Sequence, residues 1–219
     1  MNRLAFETSG AYCSVALDVN GEVRTRQQHS QRGHAELLLP WVDELLAETG
    51  LRYGDLDALA VSQGPGSFTS LRIGLGVMQG IALAHDLPIH AVSSLDASAE
   101  AHDPAVHIAH LMVIMDARMN ELYVAQYGIS EGARSRLVDP HLTTIEALTA
   151  STADHPWVLV GSGADGYGEA LLAQLKPAQA SIVTGVWPTA EAVLRLADRV
   201  QPMPAWSLEP FYLRHRVTH

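Results

Sequence analysis

One pattern written twice along the chain constrains its fold more than any other feature. "LAFETSGAYCSVAL" at Leu4 to Leu17 and "VIMDARMNELYVAQ" at Val113 to Gln126 share a strand, an acid, a turn and a second strand. Aligning Glu7 with Asp116 places Val15 on Val124 and Ala16 on Ala125, almost half the chain apart. Further on, "WVLVGSGADGYGEALLAQL" reads as strand, glycine turn and helix, echoing "ALAVSQGPGSFTSLRIG" in the first half. Two echoes in the same order point to a duplicated α/β unit. Strand-turn-helix segments are common in α/β proteins, so chance is the competing explanation.

Within the first half, "RLAFETS" and "YCSVALDVN" predict a hairpin turning near Gly10. The Asn20-Gly21 turn then adds "EVRTRQQHS" to make a three-strand meander from Arg3 to about Ser30. A helix over Gly33 to Thr49 places Leu37, Leu38, Trp41 and Leu45 at helical spacing, with Pro40 expected to kink it and Gly50 to stop it. "LDALAVS" and "LPIHAVS" predict strands on either side of a second helix. The pattern breaks at "AHDPAVH", which puts a boundary near residue 105 and two subdomains at 1–105 and 106–219. A new strand is expected from about His110, and a helix "TAEAVLRLADRV" with the segment "EPFYLRHRV" closes the second half.

The formal charge of -10 argues against direct binding of nucleic acid or an anionic membrane, both of which attract clustered Lys and Arg. Any contact with nucleic acid would need a partner. With Cys13 as the single cysteine, an intramolecular disulfide and a Cys-rich zinc site are excluded, in keeping with a reducing cytoplasm. No stretch reaches about 18 uninterrupted apolar residues, and "MNRLAFETSG" is not a secretion signal. A soluble cytoplasmic protein is expected.

The turn "GPGSFTS" at Gly64 to Ser70 invites two readings. Backbone N–H groups at a helix start bind phosphate. This turn, however, lacks the lysine of a P-loop and the spacing of a dinucleotide fingerprint, and Pro65 removes a donor. In the second reading Gly64 and Gly66 only shape the turn, and Ser67 or Thr69 caps the helix. The helix that follows carries Gly76, Gly80 and Ala84 at every fourth position, with Leu71, Ile73, Leu75, Val77, Met78 and Ile81 over the remaining surface. A helix apolar nearly all round must be covered on both sides. Its second cover is either the Gly33 to Thr49 helix or another protein.

Chemistry-bearing clusters are sparse. His102, His107 and His110 fit neither H-E-x-x-H nor a helical pair, and neither Ser67 nor Ser162 lies in a G-x-S-x-G elbow. No metal site and no catalytic residue are assigned. Glu7 and Asp116, at the ends of equivalent strands, either face a cleft between the halves or cap their hairpins. Asp116, Arg118 and Glu121 form either a site or a turn held by an ion pair.

The segments "ETSGAYCSVAL", "RGHAELLLPWVDELL", "GPGSFTSLRIGLGVMQGIALA", "VSSLDA", "MDARMNELYVA", "VGSGA" and "EPFYLR" resemble, in order and over the whole chain, the TsaB family, formerly YeaZ. That resemblance implies an α/β fold of two duplicated subdomains like those of actin, hexokinase and Hsp70. It implies a noncatalytic subunit that pairs with the catalytic relative TsaD and, with the ATPase TsaE, supports transfer of threonylcarbamoyl to N6 of adenosine 37. The modified tRNAs read codons starting with A. TsaD supplies a metal through paired histidines that are absent here.

The resemblance further implies that two helices contact TsaD, or a second copy when TsaD is absent. Carried onto this chain, that face comprises Gly33, His34, Leu37, Leu38, Trp41 and Leu45 with Thr69, Arg72, Ile73, Gly76, Val77, Gly80 and Ala84. Residues expected to face a nucleotide are Glu7, Thr8, Ser9, Asp116, Gly161 and Gly163; no cofactor is expected of the chain alone, although a nucleotide could lie at the complex interface. Two departures stand out: Glu7 replaces the usual Asp, and Ser70 replaces the usual Gly. The first weakens the case for independent nucleotide binding, and the second would hold a neighbouring helix further away. The alternatives are a self-associating scaffold, or an ATP-dependent phosphotransferase or peptidase-like enzyme.

Overall fold

A computed structural model of the chain describes residues 1–29, 33–102, 109–130, 133–152 and 155–214. The expected meander forms as β1 (Asn2–Glu7), β2 (Tyr12–Val19) and β3 (Glu22–His29). Asn20 and Gly21 both adopt positive φ, as a tight hairpin turn requires. Helix α1 (His34–Thr49) is capped by Gly33 at φ 95, runs through Pro40, and ends on Gly50 in the left-handed region. Then come β4 (Ala58–Gly64), α2 (Phe68–His85), β5 (Ile89–Ser93) and α3 (Ser94–Ala101).

The later segment supplies β6 (His110–Asp116), β7 (Glu121–Ser130), β8 (Ala133–Thr144), β9 (Trp157–Val160), α4 (Ser162–Gln174) and β10 (Ser181–Ile182). Helix α5 (Ala190–Ala197) and β11 (Pro202–Met203) complete the elements. Thr189 caps α5 by accepting from Ala192 N–H.

The duplication is explicit in the strand order. One sheet runs β11-β5-β4-β1-β2-β3 and the other β10-β9-β6-β7-β8. In each, the leading strand has an antiparallel hairpin partner on one side (β2, β7) and a parallel crossover strand on the other (β4, β9). The repeats differ by one residue at the hairpin: Glu7 faces Ser14, whereas Asp116 faces Leu122, one position before the residue aligned with Ser14. This is the duplicated actin-like α/β architecture.

The chain forms two compact units. The first comprises residues 1–97 with 188–211; the second comprises the described residues of 98–187 with 212–214. The boundary expected at residue 105 falls in 103–108, outside the described residues, as does His107. The division also differs at the C-terminal end. Helix α5, assigned from sequence to the second half, packs on β1, β2, β4 and β5 of the first sheet. The reason is sheet amphipathy on both faces. Leu4, Phe6, Val15, Leu17, Leu59 and Val61 point into the core beneath α1 and α2. Ala5, Ala16 and Ala60, in register and buried, form a shallow second face that a helix must cover.

In the second unit Met112, Ile114, Val124, Trp157 and Leu159 pack with Ala164 and Leu171 of α4. Trp157 is fully buried and its indole N–H donates to Thr152 O at 2.8 Å.

Two closed glycine turns and one open helix face

The turn after β4 is filled by the protein's own backbone. Ser67 N–H donates to Ser9 O at 2.7 Å. A Cβ on Gly66 would lie 2.3 Å from that oxygen, so only glycine allows the turn to seat on the β1–β2 corner. Helix α2 also approaches this corner at Gly74, where a Cβ would lie 2.2 Å from Thr8 Oγ1. Of the two readings of "GPGSFTS", the turn therefore supports the one in which it shapes a close packing contact. Ser67 occupies the N-cap position, but its hydroxyl pairs with Ser70 Oγ at 3.0 Å and caps no backbone N–H.

Glu7, Thr8 and Ser9 are buried beneath that contact, each no more than 1% exposed. The Glu7 carboxyl accepts from Ser62 Oγ, and Ser9 N–H donates to it at 2.5 Å. Burial pushes the Glu7 carboxyl above the ordinary carboxylate range, and the bonds from Ser62 and Ser9 only partly oppose this. Beside it, burial and then the Glu7 charge push the Cys13 thiol up to about 12. The expectation that Glu7, Thr8 and Ser9 face a nucleotide is corrected to this extent: in this unit their side chains are enclosed, and Glu7 is held by Ser62.

The second unit repeats the closure. Gly161, at φ 100, and Gly163 are buried; a Cβ on either would come within 2.6 Å of Ile114, its carbonyl oxygen or its side chain. Ser162 Oγ accepts from Asp116 N–H at 3.0 Å. The Asp116 carboxylate accepts from Arg118 N–H at 2.8 Å and from its guanidinium at 3.2 Å. Arg118, Met119 and Asn120 all adopt positive φ, a left-handed turn that side chains disfavour. Arg214 braces it, donating to Ala117 O at 3.1 Å and pairing with Glu121. Asp116, Arg118 and Glu121 thus serve as turn-holding ion pairs, the second of the two sequence readings. Among the described residues, no three His, Cys, Asp or Glu side chains converge as cation ligands.

By contrast, α2 leaves one face open. Cβ atoms on Gly76 or Gly80 would meet no described atom within 4 Å. Thr69, Arg72 and Ala84 are exposed beside them, while Ile73 and Val77 are half-buried at the seam with α1. On α1, Leu37 and Trp41 are half-buried. Leu38 and Leu45 are fully buried, and His34 is 2% exposed, its Nε2 without a hydrogen-bond partner among the described residues. These three cannot contribute contact area to a partner and are corrected to core supports. Exposed Leu39 and Leu83, missed in the sequence, are apolar and stand in solvent. Ser70 is buried at 8% exposure and turned toward Ser67, so it does not hold a neighbouring helix away.

Comparison with known proteins matches this architecture. The sequence model described as "TsaD: tRNA N6-adenosine threonylcarbamoyltransferase" covers residues 22–159. The "tRNA threonylcarbamoyladenosine biosynthesis protein TsaB" of Haemophilus influenzae is 33% identical, with 98% of this chain and 94% of that protein aligned. The TsaB of Escherichia coli is 32% identical over 99% of this chain and 96% of its own. The solved structure of YeaZ from Pseudomonas aeruginosa superposes with a TM-score of 0.84 at 31% identity, covering 97% of this chain and 99% of that one. With the sequence identity, the duplicated topology and the full-length match in agreement, the chain belongs to the TsaB (YeaZ) family of tRNA threonylcarbamoyladenosine biosynthesis proteins.

Proposed function

We propose that the chain is a noncatalytic subunit that dimerises with TsaD and activates it in transferring threonylcarbamoyl to N6 of adenosine 37. The observation carrying this reading is the open α2 face, where Gly76 and Gly80 leave the helix backbone bare between exposed flanking residues. A partner helix can approach such a groove closely, and an apolar helix gains from that cover. The closed turns at Gly66 and Gly161 support a role other than phosphate transfer by this chain alone. A net charge of -10 favours tRNA contact through the partner, and a role in tRNA modification supports a cytoplasmic location. No described helix is long and apolar enough to cross a membrane. TsaE joins as the ATPase of the assembly, and a second copy of the chain can take the same face when TsaD is absent.

The test is reconstitution with TsaD, TsaE, threonylcarbamoyl-adenylate and tRNA, scoring modified adenosine with and without the chain. Product that depends on the chain, and is lost with Gly76→Leu or Gly80→Leu while the monomer stays folded, is the expected result. Product formed equally without the chain would overturn the subunit role.

A further inference from the structure

A hollow of about 330 Å³ lies at the C-terminal end of α2, lined by Leu83, Asp86, Leu87, Met203, Ala205 and Trp206. Leu83 and Trp206 are 64% and 77% exposed, so large apolar groups stand in solvent at its rim. At the opposite end of the helix Phe68, 55% exposed, carries the Arg72 guanidinium 3.4 Å from its ring centroid.

Helical geometry places these two features on the same flank. At about 100° per residue, Arg72, Gly76, Gly80 and Leu83 fall within roughly 40° of one line, and Phe68 lies to the Gln79 side of it. Gln79 Nε2 donates to Ala205 O at 3.1 Å and Leu208 O at 2.9 Å, so the segment bearing Trp206 lies on that side too. Now consider a two-fold axis between antiparallel α2 helices at the height of Met78, midway between Gly76 and Gly80. It exchanges the helix ends and keeps the flank. With a rise of about 1.5 Å per residue, Phe68 sits about 15 Å from that midpoint, and its symmetry mate comes level with position 88. Arg72 comes level with position 84. The pair on one copy thus meets the hollow on the other.

Building on the α2 face as a partner surface, we infer that this hollow receives the Phe68–Arg72 pair of a second copy of the chain. The ring of Phe68 covers Leu83, Leu87 and Met203, and the Arg72 guanidinium meets the Asp86 carboxylate. Apolar fill and charge complementarity are then supplied by one chain to itself, twice per dimer.

A charge exchange tests this with the full chain in sedimentation velocity. Arg72→Asp alone and Asp86→Arg alone each set like charges against each other at both hollows, and each should raise the dimer Kd by roughly tenfold or more. An equimolar mixture of the two variants sets opposite charges at both and should restore dimer to near the wild-type Kd. The mixture also serves as the folding control, since two misfolded chains would not rescue each other. If Gly76→Leu abolishes self-association but neither charge variant weakens it, the hollow assignment is overturned while the helix face stands. If Gly76→Leu is also without effect, both fail. A wild-type chain that stays monomeric at every concentration reached would overturn the second copy as occupant, whatever the chain does with TsaD.

Discussion

Gly74 and Thr8 are in direct contact: a methyl group at position 74 would lie 2.2 Å from Thr8 Oγ1 and 3.1 Å from its Cγ2. Two residues further along the same helix, Gly76 faces open space. The two glycines therefore respond to alanine with opposite signs. Gly74→Ala forces α2 off the β1–β2 corner and should cost about 1–3 kcal/mol. Gly76→Ala adds a helix-favouring residue at an exposed site and should stabilise the monomer by about 1 kcal/mol. Urea denaturation of both variants checks the contrast.

Glu7 makes stability fall as pH rises. Burial raises its folded pKa above the unfolded value of about 4.3. Below that value both states hold the proton and nothing is lost. Above it the unfolded chain ionises first, so stability declines until the folded pKa is passed. Glu7→Gln keeps an acceptor for Ser9 N–H and a polar partner for Ser62 without the charge. It should melt higher than the native chain at pH 8, and the difference should vanish near pH 4. Thermal melts across that range read it directly.

Cys13 is fully buried and its thiol is pushed up to about 12, so little thiolate exists at ordinary pH. A disulfide reagent at pH 8 should label the native protein only as fast as it opens, and label it at once in denaturant. Immediate native labelling would contradict the packing described for β2.

Removing the Arg214 brace should loosen the left-handed turn. Arg214→Ala deletes the bond to Ala117 O and the pair with Glu121, a loss of about 1–2 kcal/mol. Hydrogen exchange should quicken at the Ala117 and Glu121 amides, which donate across the turn at 2.9 and 3.1 Å.

What the sequence made legible is what short-range pattern encodes. The Asn20-Gly21 turn, the apolar face of α1 and the long α2 are local, and the duplicated hairpins matched in topology because their strand order is set by neighbouring segments. What escaped depends on distant partners. Strand β8 contains Pro140 and mostly polar residues and is held by pairing with β7 across register shifts. Glu7 looked available because Ser62, the hydroxyl that donates to its carboxyl, lies 55 residues away. His34, Leu38 and Leu45 share a heptad-like spacing with exposed neighbours, and only the sheet beneath α1 decides which way each faces.

The return of α5 to the first sheet has a consequence for synthesis. Ala190 N–H donates to Ser14 Oγ at 3.1 Å, and the alanine face of β1, β2 and β4 has its cover only once α5 exists. While a ribosome is still adding the second unit, that face of the first sheet is bare to solvent and to holdase chaperones. The first unit is begun first but completed only after residues 98–187 have been added, so a chain released before Pro188 would present an unfinished sheet and be a substrate for quality-control proteolysis.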